Sequence, residues 1–452
     1  MTLRDRIQQI TAQDYSFPVS SNISENSLNA AVSLRAKLHD TLIKTINLSA
    51  VELMTDLDLR GYLKSSIEKI VSDEHIVVSE ENLAKLIYEI QNEIIGLGPI
   101  EPLISDPSVS DILVNNYKTI YIERKGRLER TNIKFDSDRH LLNVIEKIVE
   151  RVGRRIDESS PMVDARLPDG SRVNAIIPPL SLDGPALSIR RFSEVPLTIS
   201  NLIDLGSLTS DMALILGSLV KVKTNILISG GTGSGKTTLL NVLSGFIPDN
   251  ERVITIEDAA ELRLQQPHVI RLETRPPNIE GKGEVTQRAL VKNTLRMRPD
   301  RIIIGEVRGD EVIDMLQAMN TGHEGSLTTV HANSPRDALT RLENMVGLAG
   351  VVVSAKSFRQ QIISGISVIL QVARLSDGRR KILSIQEITG MEGDVITMQE
   401  IFNFEQTGVA PDGTVLGHFR ATGIRPKFAE RLQVRGATLA DYLFDPSRVK
   451  DR

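Results

Sequence analysis

Apolar positions along the chain follow three rhythms, and each predicts a different kind of element. Leu34, Leu38, Leu42 and Ile46 recur every four residues, which is one apolar stripe of a helix. A second helical stretch is predicted over about 48–71. A third begins after Ser79, an N-cap type, with Leu83, Leu86, Ile87, Ile90 and Ile94 on one face. Three amphipathic helices with short links predict a small bundle over 29–107, behind a polar stretch at 1–28 expected to be mobile. The rhythm changes at Gly96-Leu97-Gly98-Pro99, which breaks a helix. Alternating runs then predict strands at 111–114, 119–123 and 127–135, divided by Asn115-Asn116 and Lys125-Gly126 turns. A helix over 138–152 and strands at 162–166, 172–177 and 186–192 complete an α+β domain over 108–195. The third rhythm starts beyond Pro196. Short, continuous apolar runs at 225–229, 252–257, 301–305 and 326–331 alternate with helical stretches. That alternation predicts an α/β domain over 196–452, with a mostly parallel sheet and helices on both faces.

Composition narrows the class. At 452 residues, 40% hydrophobic and 25% charged, the chain is long enough for two or three ordinary globular domains. Its formal net charge of −4 and its 4% aromatic content argue against a nucleic-acid binder. It has no cysteine, which excludes disulfides and thiolate metal sites. The first sixteen residues lack the apolar core of a signal peptide, and the apolar run at 346–355 is too short to span a bilayer. The expectation is a cytoplasmic protein, one still able to sit on a membrane protein.

The candidate chemistry centres on Gly230-Gly231-Thr232-Gly233-Ser234-Gly235-Lys236-Thr237-Thr238, which follows one of the apolar runs and contains a full GxxxxGK[ST] match. Glycines let the backbone turn its N–H groups around phosphate oxygens, and a helix starting near Lys236 aims its positive end at the same anion. Lys236 is placed to reach the β- and γ-phosphates of ATP, and the Thr237 hydroxyl to ligate Mg²⁺. Hydrolysis also needs carboxylates at strand ends. Glu257, Asp258 and Glu261 end one apolar run and are read as holding and deprotonating a water; a helix N-terminus is the plain alternative. Glu306 ends another, with Gly305 where many ATPases place an aspartate, and is assigned to Mg²⁺ through its water shell. His323 and His331 are two of seven histidines and flank the run at 326–331. Ser334 and Pro335 then signal a helix start, and His331 is the candidate γ-phosphate sensor. Arginines crowd the interval between the acidic motifs: Arg263, Arg271, Arg275, Arg288, Arg296, Arg298 and Arg301. They are read either as solvated surface or as contacts to a phosphate or a neighbouring subunit.

Taken together, SGGTGSGKTTLLN, ITIEDAAEL, RIIIGEVRG and GHEGSLTTVHANSP resemble the secretion ATPase superfamily, and most of all its tight-adherence (Tad) pilus branch, the CpaF-type ATPases. GLGPIEPLISDPSVSDILVNN, VGRRIDESSPMVDARLPDGSRVNAIIPPL and LSIRRF extend the resemblance upstream, and DVITMQEIFNFEQ and ATGIRPKFAERL extend it toward the C-terminus. The resemblance implies a homohexamer of RecA-like P-loop domains, each preceded by an α+β domain packed across the nucleotide site. It implies ATP hydrolysis at the inner face of the bacterial inner membrane, with membrane contact only through inner-membrane pilus platform proteins and pilin moved indirectly. By motif, Glu257 is the catalytic carboxylate, Glu306 the Walker-B-type glutamate and His331 the histidine-box residue. Arg172 and Arg190 match positions where relatives bring arginines to the γ-phosphate, and coupling is expected as rigid-body shifts about a linker near 195–200. The absence of a four-cysteine zinc module departs from type II secretion relatives. Two other functions share the phosphate loop: a RecA-family nucleic-acid translocase, and a non-catalytic assembly subunit that binds ATP. An ABC-type transport ATPase is excluded, since Leu243-Ser244-Gly245 continues into Phe246-Ile247.

Overall fold

The computed structural model describes residues 54–448, apart from 74, 76–77, 125, 192–195, 278–281, 349 and 351–353. The stretch at 1–28 and the stripe from Leu34 to Ile46 lie outside the described residues, as do 192–195 at the start of the expected linker. The chain divides into two compact units, Met1–Ser193 and Glu194–Arg452.

In the first unit, helices α1 (Asp56–Asp73) and α2 (Glu80–Ile94) bury Leu63, Ile67 and Ile90 in a common cluster. Helix α1 starts later than the apolar pattern predicts because Thr55 caps it, its Oγ1 accepting from the Asp58 N–H at 3.3 Å. Ser79 caps α2 as read from sequence, accepting from the Asn82 N–H at 3.4 Å. A short helix, α3 (Glu101–Ser105), leads into six antiparallel strands: β1 (Val109–Asn116), β2 (Thr119–Arg124), β3 (Arg127–Arg130), β4 (Met162–Arg166), β5 (Arg172–Ile176) and β6 (Ala186–Arg190). They are ordered β3-β2-β1-β6-β5-β4. Helix α4 (Asp138–Arg151) covers the apolar face of this sheet through Leu141, Ile145 and Ile148. Its polar side grips the end of α2, where Lys147 Nζ donates to the carbonyls of Glu93, Ile94 and Gly96 at 3.0, 2.8 and 2.6 Å. Those are the carbonyls a helix C-terminus leaves without partners. Next to them His140 is buried. Burial disfavours its charge, but hydrogen bonds to Asp136 and Glu93 outweigh that and push its pKa up to about 9.

The second unit opens with α5 (Ile199–Asp204) and α6 (Ser210–Lys221) and is built on a nine-stranded sheet. Strands β7 (Ile226–Gly230), β8 (Val253–Glu257), β9 (Val269–Glu273), β10 (Arg301–Val307), β11 (Leu327–His331) and β12 (Val368–Arg374) are parallel, in the order β12-β7-β11-β10-β8-β9. Strands β13 (Arg380–Glu392), β14 (Val395–Val409) and β15 (Val415–Ala421) extend the β12 edge antiparallel. Both faces of the central parallel strands are covered, so β7 and β8 are buried along their whole length and β10 along most of it. On β7, Ile226 and Ile228 face one core with α6 and with α7 (Lys236–Ser244), whereas Leu227 faces the other. That second core is closed by α8 (Gln287–Thr294), α9 (Glu311–Asn320), α10 (Pro335–Leu348) and α11 (Ala355–Gly365). Each such buried Ile or Leu contributes about 1.5–3 kcal/mol. Helix α12 (Lys427–Val434) follows β15, and its N-terminal N–H groups at Lys427 and Phe428 donate to the fully buried Glu387 carboxylate at 2.8 and 2.6 Å.

Candidate nucleotide site

Parallel strands end together, so the groups that follow them collect along one edge. Strand β7 delivers the glycine loop there. Gly233 and Gly235 adopt φ of 68° and 95°, in the left-handed region that glycine enters without strain. Gly230 is required for a different reason, because a Cβ there would stand 2.5 Å from both Ser234 Oγ and the Val372 carbonyl. Helix α7 begins at Lys236 with Gly235 as its cap and no side chain on its first N–H groups. Those donors therefore face the loop, as anion sites require. Lys236 Nζ folds back onto the carbonyls of Gly230 and Gly231, at 3.0 Å each. Thr237 follows on the first turn, half-buried, and Thr232 and Thr238 are exposed.

Glu257 is the last residue of β8 and only 3% exposed. Its Oε2 accepts from the N–H groups of Glu261 and Leu262 at 2.7 and 3.0 Å, and its Oε1 is buried with no partner. Burial pushes its pKa up to about 7 against those two hydrogen bonds, and the neighbouring charge of Glu261 adds to the rise. No helix starts here, so the plain alternative for these acids falls away: 258–266 is irregular and is held against α7. The Arg263 N–H donates to Asn241 Oδ1 at 2.9 Å, and Gln266 Nε2 to the Ser244 carbonyl at 2.7 Å. The glycine that stood out in the sequence also finds its reason. A Cβ at Gly305 would lie 3.0 Å from Glu257 Cγ, so the two positions share space.

Of the other acids, Asp258 faces Arg308 rather than an open site, with Nη1 3.2 Å from its Oδ2. The same guanidinium holds Glu306, its Nε and Nη2 donating to Oε2 at 2.9 and 2.5 Å. Arg308 thus bridges the two acidic motifs, a role sequence reading missed although it lies two residues past Glu306. His331 closes β11 opposite Gly230 on β7. Burial, then the charge of Lys236, lowers its pKa, and Glu306 opposes the shift. His323 does not belong to this edge: it precedes β11, at the opposite end of that strand. Ser334 caps α10 as predicted, accepting from the Asp337 N–H at 3.0 Å.

Two sequence readings of arginines are corrected or sharpened. Arg301 is fully buried and bound to Glu251 through Nε at 2.5 Å and Nη2 at 3.2 Å, so it is neither surface nor finger. Arg288 is taken by Asp310 and Asp314 at 2.6 and 2.7 Å. Arg172 and Arg190 lie in the first unit, directly opposite one another on β5 and β6, with Arg190 Nε 3.1 Å from Asp111 Oδ1. Among the described residues no group of three histidines or carboxylates could hold a metal by itself. The loop glycines, the uncapped helix start and the orphaned Glu257 oxygen fit a nucleoside triphosphate with Mg²⁺ carried on its phosphates.

Residues 93–410 match the family described as Type II/IV secretion system protein. A Mycobacterium tuberculosis protein named for conjugal transfer is 38% identical over 312 residues, covering 68% of this chain and 88% of the relative. The type IV secretion system protein VirB11 of Bartonella quintana is 30% identical over 346 residues, covering 66% and 95%. Among solved structures, the VirB11 ATPase from the Brucella suis type IV secretion system, in complex with sulphate, is 29% identical. It covers 64% of this chain and 91% of its own, with a TM-score of 0.34.

Proposed function

This chain belongs to the type II/IV secretion system protein family, and from that premise we propose that it is an ATP hydrolase working as a homohexamer. Its output is the assembly or retraction of a Tad/type IV pilus, or transport through a related secretion machine. The observation that carries hydrolysis, rather than binding alone, is Glu257: a buried carboxylate at a strand end on the same edge of the parallel sheet as the phosphate loop, with one oxygen unpartnered and a pKa of about 7. A base poised near the working pH combines the right protonation state with driving force for taking a proton.

The geometry supports a distinct role for each group. The loop from Gly230 to Thr238 and the first turn of α7 bind and orient the phosphates, and Lys236 leaves its own loop carbonyls to neutralise them. Thr237, with Glu306 through water, would hold Mg²⁺, which supplies charge neutralisation at the phosphates when bound. Glu257 orients a water and takes its proton at Oε1. His331, whose protonation is disfavoured by burial and by the charge of Lys236, donates or accepts a hydrogen bond at the outermost phosphate. Arg172 and Arg190 are proposed to reach a nucleotide in the hexamer. No helix among the described residues is long and apolar enough to cross a membrane. We place the protein at the cytoplasmic side of the inner membrane, attached through platform proteins.

Steady-state hydrolysis by the purified chain tests the reading. Lys236→Ala should lose nucleotide binding, and Glu257→Gln should keep binding while hydrolysis falls about 10²–10⁴-fold, the usual worth of a general base. Full activity in Glu257→Gln with a dead Glu306→Gln would reverse the two carboxylates. Strong stimulation by single-stranded DNA would favour the nucleic-acid translocase instead. A hexamer that binds ATP and never turns over, with its platform present, would mark an assembly subunit.

A further inference from the structure

Arg308 stands where the two acidic motifs meet, and the sheet explains how it reaches both. Strands β8 and β10 are neighbours with Ile256 opposite Ile304, so Asp258 and Glu306, each two residues further on, leave the sheet side by side. Arg308 lies two residues beyond Glu306, the spacing at which extended chain returns side chains to one side. One guanidinium then serves both acids: Nε and Nη2 donate to Glu306 Oε2, and Nη1 donates to Asp258 Oδ2. Both bonds to Glu306 fall on a single oxygen, so its Oε1 takes no part in the pair. The main chain around this pair is held by buried side chains from three elements. The ladder between β10 and β11 gains one residue on β10 between Ile304 and Val307, a bulge at Gly305–Glu306. There Thr329 Oγ1 donates to the Gly305 carbonyl at 2.7 Å, and Gln287 Nε2 to the Glu306 carbonyl at 2.9 Å. Beyond the bulge, the N–H groups of Arg308 and Gly309 donate to Oε1 of the buried Glu311 at 2.6 and 2.9 Å.

The bridge does little for stability. The Arg308 side chain is 51% exposed and that of Asp258 39%, and an ion pair in such a setting contributes only marginally to folding. What it changes is geometry. An untethered glutamate side chain populates several rotamers, and a carboxylate beside another is repelled by it. The guanidinium limits the first and offsets the second.

We infer that Arg308 is a positioning residue for Glu306: it ties down one carboxylate oxygen and offsets the charge of Asp258, so that the other oxygen is presented to the water shell of a Mg²⁺–nucleotide complex. The inference rests on the role given to Glu306 above, and its test separates the two. Equilibrium binding of a fluorescent N-methylanthraniloyl derivative of a non-hydrolysable ATP analogue is measured on the full chain, in Mg²⁺ and in EDTA. The readout is the gain in affinity that Mg²⁺ brings. Glu306→Gln should cut that gain about tenfold, the loss of one charge-assisted hydrogen bond. Arg308→Gln should cut it about three- to tenfold, and Arg308→Lys should recover part by keeping charge without the fork. Loss of a nearby positive charge by itself would act the other way. It would weaken the metal-free triphosphate, which carries more charge, by the larger factor and so enlarge the gain. In a Glu306→Gln background, Arg308→Gln should change the gain by less than about twofold, because the group it orients is gone. A gain unchanged or enlarged in Arg308→Gln, with Glu306→Gln reduced as expected, overturns the inference and leaves the role of Glu306 standing. A full second loss in the double variant overturns it as well. If Glu306→Gln keeps the whole gain, or the unmodified chain binds no nucleotide, the role of Glu306 and the inference fall together. Should Arg308→Gln not fold, Arg308→Lys carries the measurement: a gain below that of the unmodified chain supports the inference, and an equal one overturns it.

Discussion

The two ends of the parallel sheet hold different buried polar groups. At the end where the strands begin, Asn225 and Arg301 are closely bonded, although the His323 Nδ1 is buried there without a partner. Asn225 donates from Nδ2 to the carbonyls of Met319 and Gly365 at 3.3 and 2.7 Å, and its Oδ1 accepts from the N–H groups of Gly325 and Ser326 at 2.7 and 2.9 Å. Arg301 and Glu251 form a buried pair close by. At the end where the strands finish, the Glu257 Oε1 has no partner and Lys236 rests on carbonyls of its own loop. Satisfied polar groups lock a fold, and incompletely satisfied ones are ready for a ligand or a proton. Stability is therefore concentrated at one edge and chemistry at the other, about five residues apart along each strand.

The sharpest way to break this contrast is Arg301→Ala. It removes the two-point partner of the buried Glu251 carboxylate, leaving only Lys223 at 3.7 Å, and should lower stability by about 3–5 kcal/mol in chemical denaturation. Glu257→Gln, at the opposite edge, should change stability by less than about 1 kcal/mol near neutral pH despite its effect on turnover, because it removes a group that burial already disfavours as an anion. Equal destabilisation by the two would erase the distinction.

Asn225→Ala should come next, costing about 2–3 kcal/mol, since two N–H groups and two carbonyls lose their partner in a dry interior. A smaller effect separates the edges by pH. The pKa of Glu257 is raised, so folding gains from it fully below the unfolded carboxylate range, and that gain is lost as pH rises through about 7. Hydrolysis runs the other way, because the base must be ionised. Between pH 6 and 7 kcat/KM should rise several-fold and level off above, while stability declines; Glu257→Gln should flatten the stability trend. A pH-independent rate across that interval would remove Glu257 from proton transfer.

Much of the site could be read before the fold was known because it is local. A phosphate loop needs glycines and a lysine at fixed spacing, and an apolar run ending in a carboxylate announces a buried strand with its end at an edge. What stayed hidden depends on distant partners. Arg301 looked like one more surface arginine until Glu251, fifty residues earlier, enclosed it. Arg380 lies far downstream, and only the β7–β12 pairing brings it to the Gly233 carbonyl. Strands β13 to β15 were missed because their alternation is interrupted. The ladder shifts register near Gln386, Gly390 and Gly408, and each shift moves later side chains to the other face.

The contact between Gly305 and Glu257 has a consequence for how this sequence can vary. Positions 257 and 305 occupy one volume, so neither can be altered as though the other were absent. Installing an aspartate at 305, as many other ATPases have, would press its Cβ against the Glu257 side chain and displace the buried acid. The two positions should behave as a single allele, tolerating paired replacement and rejecting either half alone, and their substitution costs should not add.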